Sequence, residues 1–331
     1  MLHIAPLVAL VCGLLVAAIP NAVSVKESRS TKVVTDKTPR VVTYFAYFHT
    51  EQNGGPYTPI LPILDEKSGI TDVLLFVCDL HDNEPYLTVG GEAPDNTTFL
   101  GPLWNDTAIL QANGINVLAS FGGYSSNMFL LLEQNFTFYY PILESFLKSY
   151  NLSGVDFDIE PSTSTLTSYA TGESIVRLLK AIRTSFGPDF LVSMAPVADD
   201  LTNIQAFYSG FNYQLLDAAA VDDDGNHIID FFNAQFYSGY GNCNTTENYD
   251  QAVAAGFAPE RIVMLVPADE NDAGPFCDIG TLEGVATALA ANYSTSFGGM
   301  GGYEFLYSGQ SDNITRIQWY QDITAAINSG L

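Results

Sequence analysis

Eight short apolar runs constrain this chain more than any other feature. They are VVTYFAYF (41–48), DVLLFVCDL (72–80), INVLASFGG (115–123), GVDFDIE (154–160), FLVSMAPV (190–197), FFNAQFY (231–237), IVMLVPA (262–268) and GGMGGYEFL (298–306). Each is nearly continuous in apolar residues, the pattern of a parallel strand buried on both faces. Helix-type segments separate several of them: 127–150 before the fourth run, 165–186 before the fifth, 249–257 before the seventh and 282–294 before the eighth. Another, 312–330, closes the chain. Strands alternating with helices in this number predict an α/β protein, a (β/α)8 TIM barrel formed as a single domain by residues 41–331. A doubly wound open sheet is the alternative, but no G-x-G-x-x-G turn follows the first run. No internal repeat or second domain is visible. Only 29 residues separate Ala268 from Gly298, which leaves no room for an α+β insertion domain between the last two strands.

Charge narrows the function. The chain has 37 acidic and 12 basic residues, a formal net charge of -25. Lys26, Arg29, Lys32, Lys37 and Arg40 crowd one short stretch, so the body of the chain is more acidic still. Such a surface repels phosphate backbones, which argues against nucleic acid and for an uncharged substrate. Residues 1–24 read as a signal peptide around IAPLVALVCGLLVAAIP, an apolar run short for a membrane span. Cleavage is expected after Ala18, Ala22 or Ser24. Residues 25–40 form a flexible lead-in or propeptide. Sequons at Asn96, Asn105, Asn135, Asn151, Asn244, Asn292 and Asn313 then suggest a secreted, extracellular glycoprotein. Cys12 leaves with the signal. Cys243 and Cys277 lie in loop-like sequence suited to a disulfide, whereas Cys78 sits in an apolar run as a buried thiol. No His or Cys spacing suggests a metal, and no cofactor is expected. The mature chain is expected to act as a monomer, free of the membrane.

The fourth run carries the chemistry. Asp156, Asp158 and Glu160 recur at every second position, so they share one side of a strand. In a barrel that side is the interior, and the ladder climbs to the C-terminal rim where barrel enzymes act. Like charges held together raise one another's pKa and keep an acid protonated near neutral pH. A protonated acid beside a carboxylate is what glycosidic cleavage requires.

GVDFDIE resembles the D-G-x-D-x-D-x-E signature of family 18 glycoside hydrolases, which include chitinases and endo-β-N-acetylglucosaminidases. DFDIE is similar to the short single-domain form. ASFGG (119–123), MAP (194–196), NAQFY (233–237) and FGGMGGYEF (297–305) resemble the family's other strand motifs in order, and the likeness spans roughly residues 41–320. It implies that Glu160 is the acid/base, that Asp158 orients the substrate's 2-acetamido group, and that Asp156 shares a proton with Asp158. Tyr237 would hydrogen-bond the acetamido carbonyl. The nucleophile would be the acetamido oxygen, and the substrate an N-acetylglucosamine-containing polysaccharide or glycan. Gly122, Gly123, Gln235 and Met194 match substrate-site positions, and Tyr44 is a candidate to line the same site. Ser120 belongs to the third-strand motif.

Three positions depart from the pattern. Ser153 replaces the motif's first Asp at the start of the strand, a change expected to be structural. Tyr303 replaces the tryptophan under the −1 sugar, keeping an aromatic face of smaller area. Ser238 replaces an Asn after the tyrosine. The short connection between the seventh and eighth runs implies a shallow groove and endo cleavage. Trp104 and Trp319, the only tryptophans, provide poorly for tracking crystalline chitin. The expected activity is that of a secreted endochitinase. The alternatives are an endo-β-N-acetylglucosaminidase, a chitin- or glycan-binding lectin on the same barrel, and a generic retaining glycosidase with Glu304 as protein nucleophile.

Overall fold

The structure, a computed structural model, describes residues 38–50, 55–123, 126–160, 170–202 and 208–331. The expected signal peptide and all but the last residues of the lead-in lie outside the described residues.

The strands are β1 (Arg40–Phe45), β2 (Asp72–Leu80), β3 (Leu87–Val89), β4 (Asn116–Gly122), β5 (Gly154–Asp158), β6 (Leu191–Met194), β7 (Phe231–Gln235), β8 (Ile262–Pro267) and β9 (Gly299–Tyr303). All but β3 run parallel in the ring β1-β9-β8-β7-β6-β5-β4-β2, which closes where β2 pairs with β1. This is the expected (β/α)8 barrel, with each of the eight runs supplying one strand. The ninth strand was not foreseen. β3 folds back antiparallel on the end of β2, where Leu87 and Val89 are buried.

Continuous apolar runs are required because the barrel has two cores. Val42, Leu74, Leu118, Leu191, Phe231 and Val263 meet inside the ring. Val73, Val117, Val155, Val192, Phe232 and Met264 face outward, into the layer between strands and helices. The helices cover that layer with one apolar face each. In the helix Gly172–Phe186, Ile175, Leu178, Leu179 and Ile182 are buried, and the Thr171 side chain caps the first turn by accepting from the Ser174 amide. Asp278 caps the helix Ile279–Tyr293 through the Thr281 amide, and that helix packs on the closing helix Arg316–Gly330. The segment 127–150 forms two helices, Met128–Gln134 and Phe136–Ser149. One long helix, Thr97–Ala112, arises where no helix was expected, capped by Asn96. Between β8 and β9 lie a disulfide-bonded loop and the helix Ile279–Tyr293, with no insertion domain.

The barrel floor is an ion pair. Arg40 Nη1 lies 2.9 Å from Asp72 Oδ1, both side chains are buried, and the guanidinium sits 4.2 Å over the Phe231 ring. Asn116 Nδ2 and Thr71 Oγ1 also donate to Asp72, at 2.7 and 2.5 Å. Removing one member of a buried pair strands the other charge. Asp72→Ala is therefore expected to lower unfolding free energy by about 3–5 kcal/mol, with Asp72→Asn losing less, as measured by urea denaturation. A loss below about 1 kcal/mol would mean that Arg40 behaves as a solvated surface charge.

Candidate active site

β5 delivers Asp156 and Asp158 into the barrel, and Glu160 follows two residues beyond the strand end. Asp156 is fully buried and takes hydrogen bonds from four neighbours. Tyr44 Oη and Ser120 Oγ donate to Oδ2 at 2.9 and 2.7 Å. Ser193 Oγ and Asn233 Nδ2 donate to Oδ1 at 2.6 and 3.1 Å. Burial raises the Asp156 pKa, and all four donors oppose the rise. Asp158 has less help. Gln235 Nε2 donates to its Oδ1 at 3.0 Å, while burial, Glu160 and Asp156 together hold its carboxyl well above the usual range. Burial also raises Glu160, opposed by Gln235 and by the Tyr208 hydroxyl, which lies 3.4 Å from Oε2. Burial thus raises all three carboxyls of the ladder, with Asp156 the best compensated by donors and Asp158 pushed highest above its ordinary range.

Above the ladder opens a cleft of about 550 Å³. Eight of the residues expected in the site line it: Glu160, Asp158, Tyr237, Tyr303, Gln235, Gly122, Gly123 and Tyr44. Asp156 lies just beneath, touching the cleft residue Tyr44. Tyr237 and Tyr303 stack at 6.3 Å between centroids and 26° between planes. Tyr44 and Phe76 meet the Tyr303 ring edge-on at 6.0 and 5.9 Å. A smaller cavity of about 260 Å³ shares Phe76, Val77 and Tyr303 with the cleft and continues towards Tyr47 and His49.

Met194 is a correction. It is fully buried in the outer layer, between strands and helices, and does not line the cleft. The alternation of β6 is the reason: Ser193 bonds Asp156 inside the barrel and Ala195 belongs to the inner core, so Met194 between them faces out. Gly122 and Gly123 line the cleft, but their backbone conformation and close neighbours are what demand them. Both have positive φ, +112° and +83°. A Cβ on Gly122 would lie 2.0 Å from the Asp158 carbonyl oxygen, and one on Gly123 2.8 Å from the Phe76 ring.

Ser153 is buried at the start of β5 with its hydroxyl on Gln111, a structural position at the far end from the cleft. Neither tryptophan reaches the cleft: Trp319 is buried in the closing helix, and Trp104 donates to the Pro94 carbonyl. Cys243 and Cys277 form the expected disulfide, and Cys78 is a buried free thiol. Six of the sequon asparagines are exposed. Asn96 is half-buried, its amide nitrogen donating to Glu92. Among the described residues, no cluster of His, Cys, Asp and Glu could hold a metal ion, and no helix is long and apolar enough to cross a membrane.

Sequence reasoning missed Ser193, Asn233, Tyr208 and Asp272. The first two could have been found from strand alternation, since Ser193 pairs directly with Asp156 across β5 and β6. Tyr208 and Asp272 sit on loops, which carry no periodic signal. Tyr208 is set in place by the buried carboxylate of Asp200, which accepts from the amides of Tyr208 and Ser209.

A closed parallel barrel with an in-line acid ladder under an aromatic cleft defines a barrel glycoside hydrolase. The sequence model of Glycosyl hydrolases family 18 matches residues 40–282, and the chain belongs to that family. Solved structures similar to it include a fungal endo-β-N-acetylglucosaminidase of glycosyl hydrolase family 18, with 29% identity and a TM-score of 0.76. That match covers 89% of this chain and 100% of the other. The chitinase ChiC from Aspergillus fumigatus shows 26% identity and a TM-score of 0.73, covering 81% and 92%. A GH18 chitinase from Pseudoalteromonas aurantia shares the fold at 22% identity and a TM-score of 0.66, covering 87% and 99%. No curated protein sequence matches the chain.

The raised pKa of Asp158 has a measurable sign. A carboxyl raised on folding contributes fully below its unfolded pKa of about 4 and loses that contribution as pH rises through the folded value. Asp158→Asn, a neutral isostere, is expected to melt higher than wild type at about pH 8, by about 2–4 °C for each kcal/mol relieved. The difference should vanish towards about pH 4. A variant that melts lower at every pH would contradict the strained ladder.

Proposed function

We propose that the chain is a secreted, retaining endo-acting hydrolase that cleaves β-1,4 bonds after N-acetylglucosamine in chitin oligosaccharides. The observation that carries this reading is the graded ladder: Asp156 held by four donors, Asp158 strained above it, and Glu160 at the cleft. Burial helps Glu160 keep the proton that it passes to the leaving glycosidic oxygen. As the C1–O bond breaks, the substrate's acetamido oxygen bonds to C1, with the acetamido N–H donated to Asp158 and the carbonyl oxygen held by the Tyr237 hydroxyl. Water, deprotonated by Glu160, then opens the oxazolinium at C1 and leaves the configuration retained.

A protein nucleophile fits less well. The Glu304 side chain is buried away from the cleft, with Oε1 accepting from the Tyr307 amide. Asp272 does line the cleft, but its Oδ2 accepts from the Glu304 amide and its pKa is pushed up to about 8, first by burial and then by Glu304, which disfavours the anionic form that a nucleophile needs. The exposed sequons, the disulfide and the acidic composition support secretion as a glycoprotein. A second reading, cleavage of the chitobiose core of N-glycans, is supported by the likeness that spans the whole of the fungal endo-β-N-acetylglucosaminidase.

The test is to incubate wild type and Glu160→Gln with chitin oligosaccharides and with a high-mannose glycopeptide, following products and anomers by NMR. Wild type should release a β-anomer, and the variant should lose about 10²–10⁴-fold in rate. The substrate that is cut chooses between the two hydrolases. Binding of oligosaccharide without cleavage by wild type would instead identify a lectin.

A further inference from the structure

Asp272 belongs to none of the motifs that define the ladder, yet it is the third carboxyl group on the cleft wall, after Asp158 and Glu160. It sits on the loop after β8, which is held rigidly. The buried Asp269 carboxylate accepts from the Ser311 amide and hydroxyl and from the Asn271 amide and side chain. The Asp272 amide donates to the Asp269 carbonyl, and Cys277 ties the end of the loop to Cys243. The Glu304 amide fixes the Asp272 carboxyl from behind by donating to Oδ2 at 3.0 Å. The Asp269 backbone also hydrogen-bonds the carboxyl, which lines the cleft near Tyr237 and Tyr303.

We infer that Asp272 is a substrate-contacting, affinity-determining residue that hydrogen-bonds a hydroxyl group of the sugar seated against Tyr237 and Tyr303. The inference rests on the glycosidase reading above. A carboxyl held by the Glu304 and Asp269 backbone at the cleft wall is pre-organised to meet a sugar hydroxyl. Its surroundings keep it neutral. Glu304 faces it from just past the end of β9, Asp269 from its own loop, Tyr237 and Tyr303 from the cleft and Tyr307 from beyond Glu304, while Asp158 and Glu160 also line the cleft. Arg316 lies nearer Glu304. A neutral carboxyl can both donate to and accept from a sugar hydroxyl, which suits an uncharged ligand on a chain of net charge -25.

The experiment compares the full chain with Asp272→Ala and Asp272→Asn on whichever of the two substrates wild type cuts. Asp272→Ala should raise KM by about tenfold, one hydrogen bond's worth, while kcat changes little. Asp272→Asn keeps a donor and an acceptor and should restore most of the affinity. Wild-type KM should rise above about pH 8 as Asp272 ionises, and the Asn variant should lack that rise. A fall in kcat and melting temperature with KM unchanged would make Asp272 a structural brace of the loop and overturn the inference. If wild type cuts neither substrate, the function reading fails on its own. Calorimetric binding of a chitin oligosaccharide then decides the inference: weaker binding by Asp272→Ala upholds it, and equal affinity or no binding by wild type overturns it.

Discussion

A carboxylate in the middle of an apolar barrel has no water to stabilise it, so the protein must supply the solvation shell. Asp156 receives that shell from four strands: Tyr44 of β1, Ser120 of β4, Ser193 of β6 and Asn233 of β7. The protonation pattern of the site follows from this arrangement. With charge accommodated at the base, Asp158 carries the burden of burial and repulsion from both neighbours, and Glu160 above it is raised as well. The groups proposed to act on substrate are those that line the cleft with fewer donors than Asp156, where preorganised polar groups act on the ligand directly.

The aromatic seat is coupled to the same shell. Tyr44 spends its hydroxyl on Asp156 and turns its ring edge to Tyr303 and Phe76. Tyr303 stacks in turn on Tyr237, whose hydroxyl is the proposed acetamido donor. Tyrosine and phenylalanine, rather than tryptophan, therefore form the aromatic wall of the cleft where the sugar is proposed to sit. Tyr303, at the position where the family resemblance leads one to expect a tryptophan, takes part in this packing through Tyr44, Phe76 and Tyr237.

The barrel was legible because burial on both faces writes itself into composition. The ladder was legible because acids in an apolar strand are rare and their spacing fixes their side. Met194 was misplaced because a likeness of short motifs says nothing about direction, whereas counting alternation from Asp156 through its register partner Ser193 would have turned it outward. The helix Thr97–Ala112 was hidden by the turn-forming residues around its cap and by Pro102 in its second turn. Tyr208 and Asp272 were invisible for a deeper reason: loop residues are placed by tertiary anchors such as Asp200 and Asp269, which no local pattern announces.

The shell around Asp156 has one more consequence, for folding. Side chains of a strand alternate, so a slip of one residue in β1, β4, β6 or β7 would turn its donor out of the barrel and bring an apolar group against the charge. Purely apolar interiors tolerate such near-misses, since one aliphatic residue resembles another. Here each of four strands is checked against a single buried carboxylate, and each mis-registered strand costs it one of its four donors. The group at the root of the proposed chemistry thereby serves as a proofreader of barrel closure.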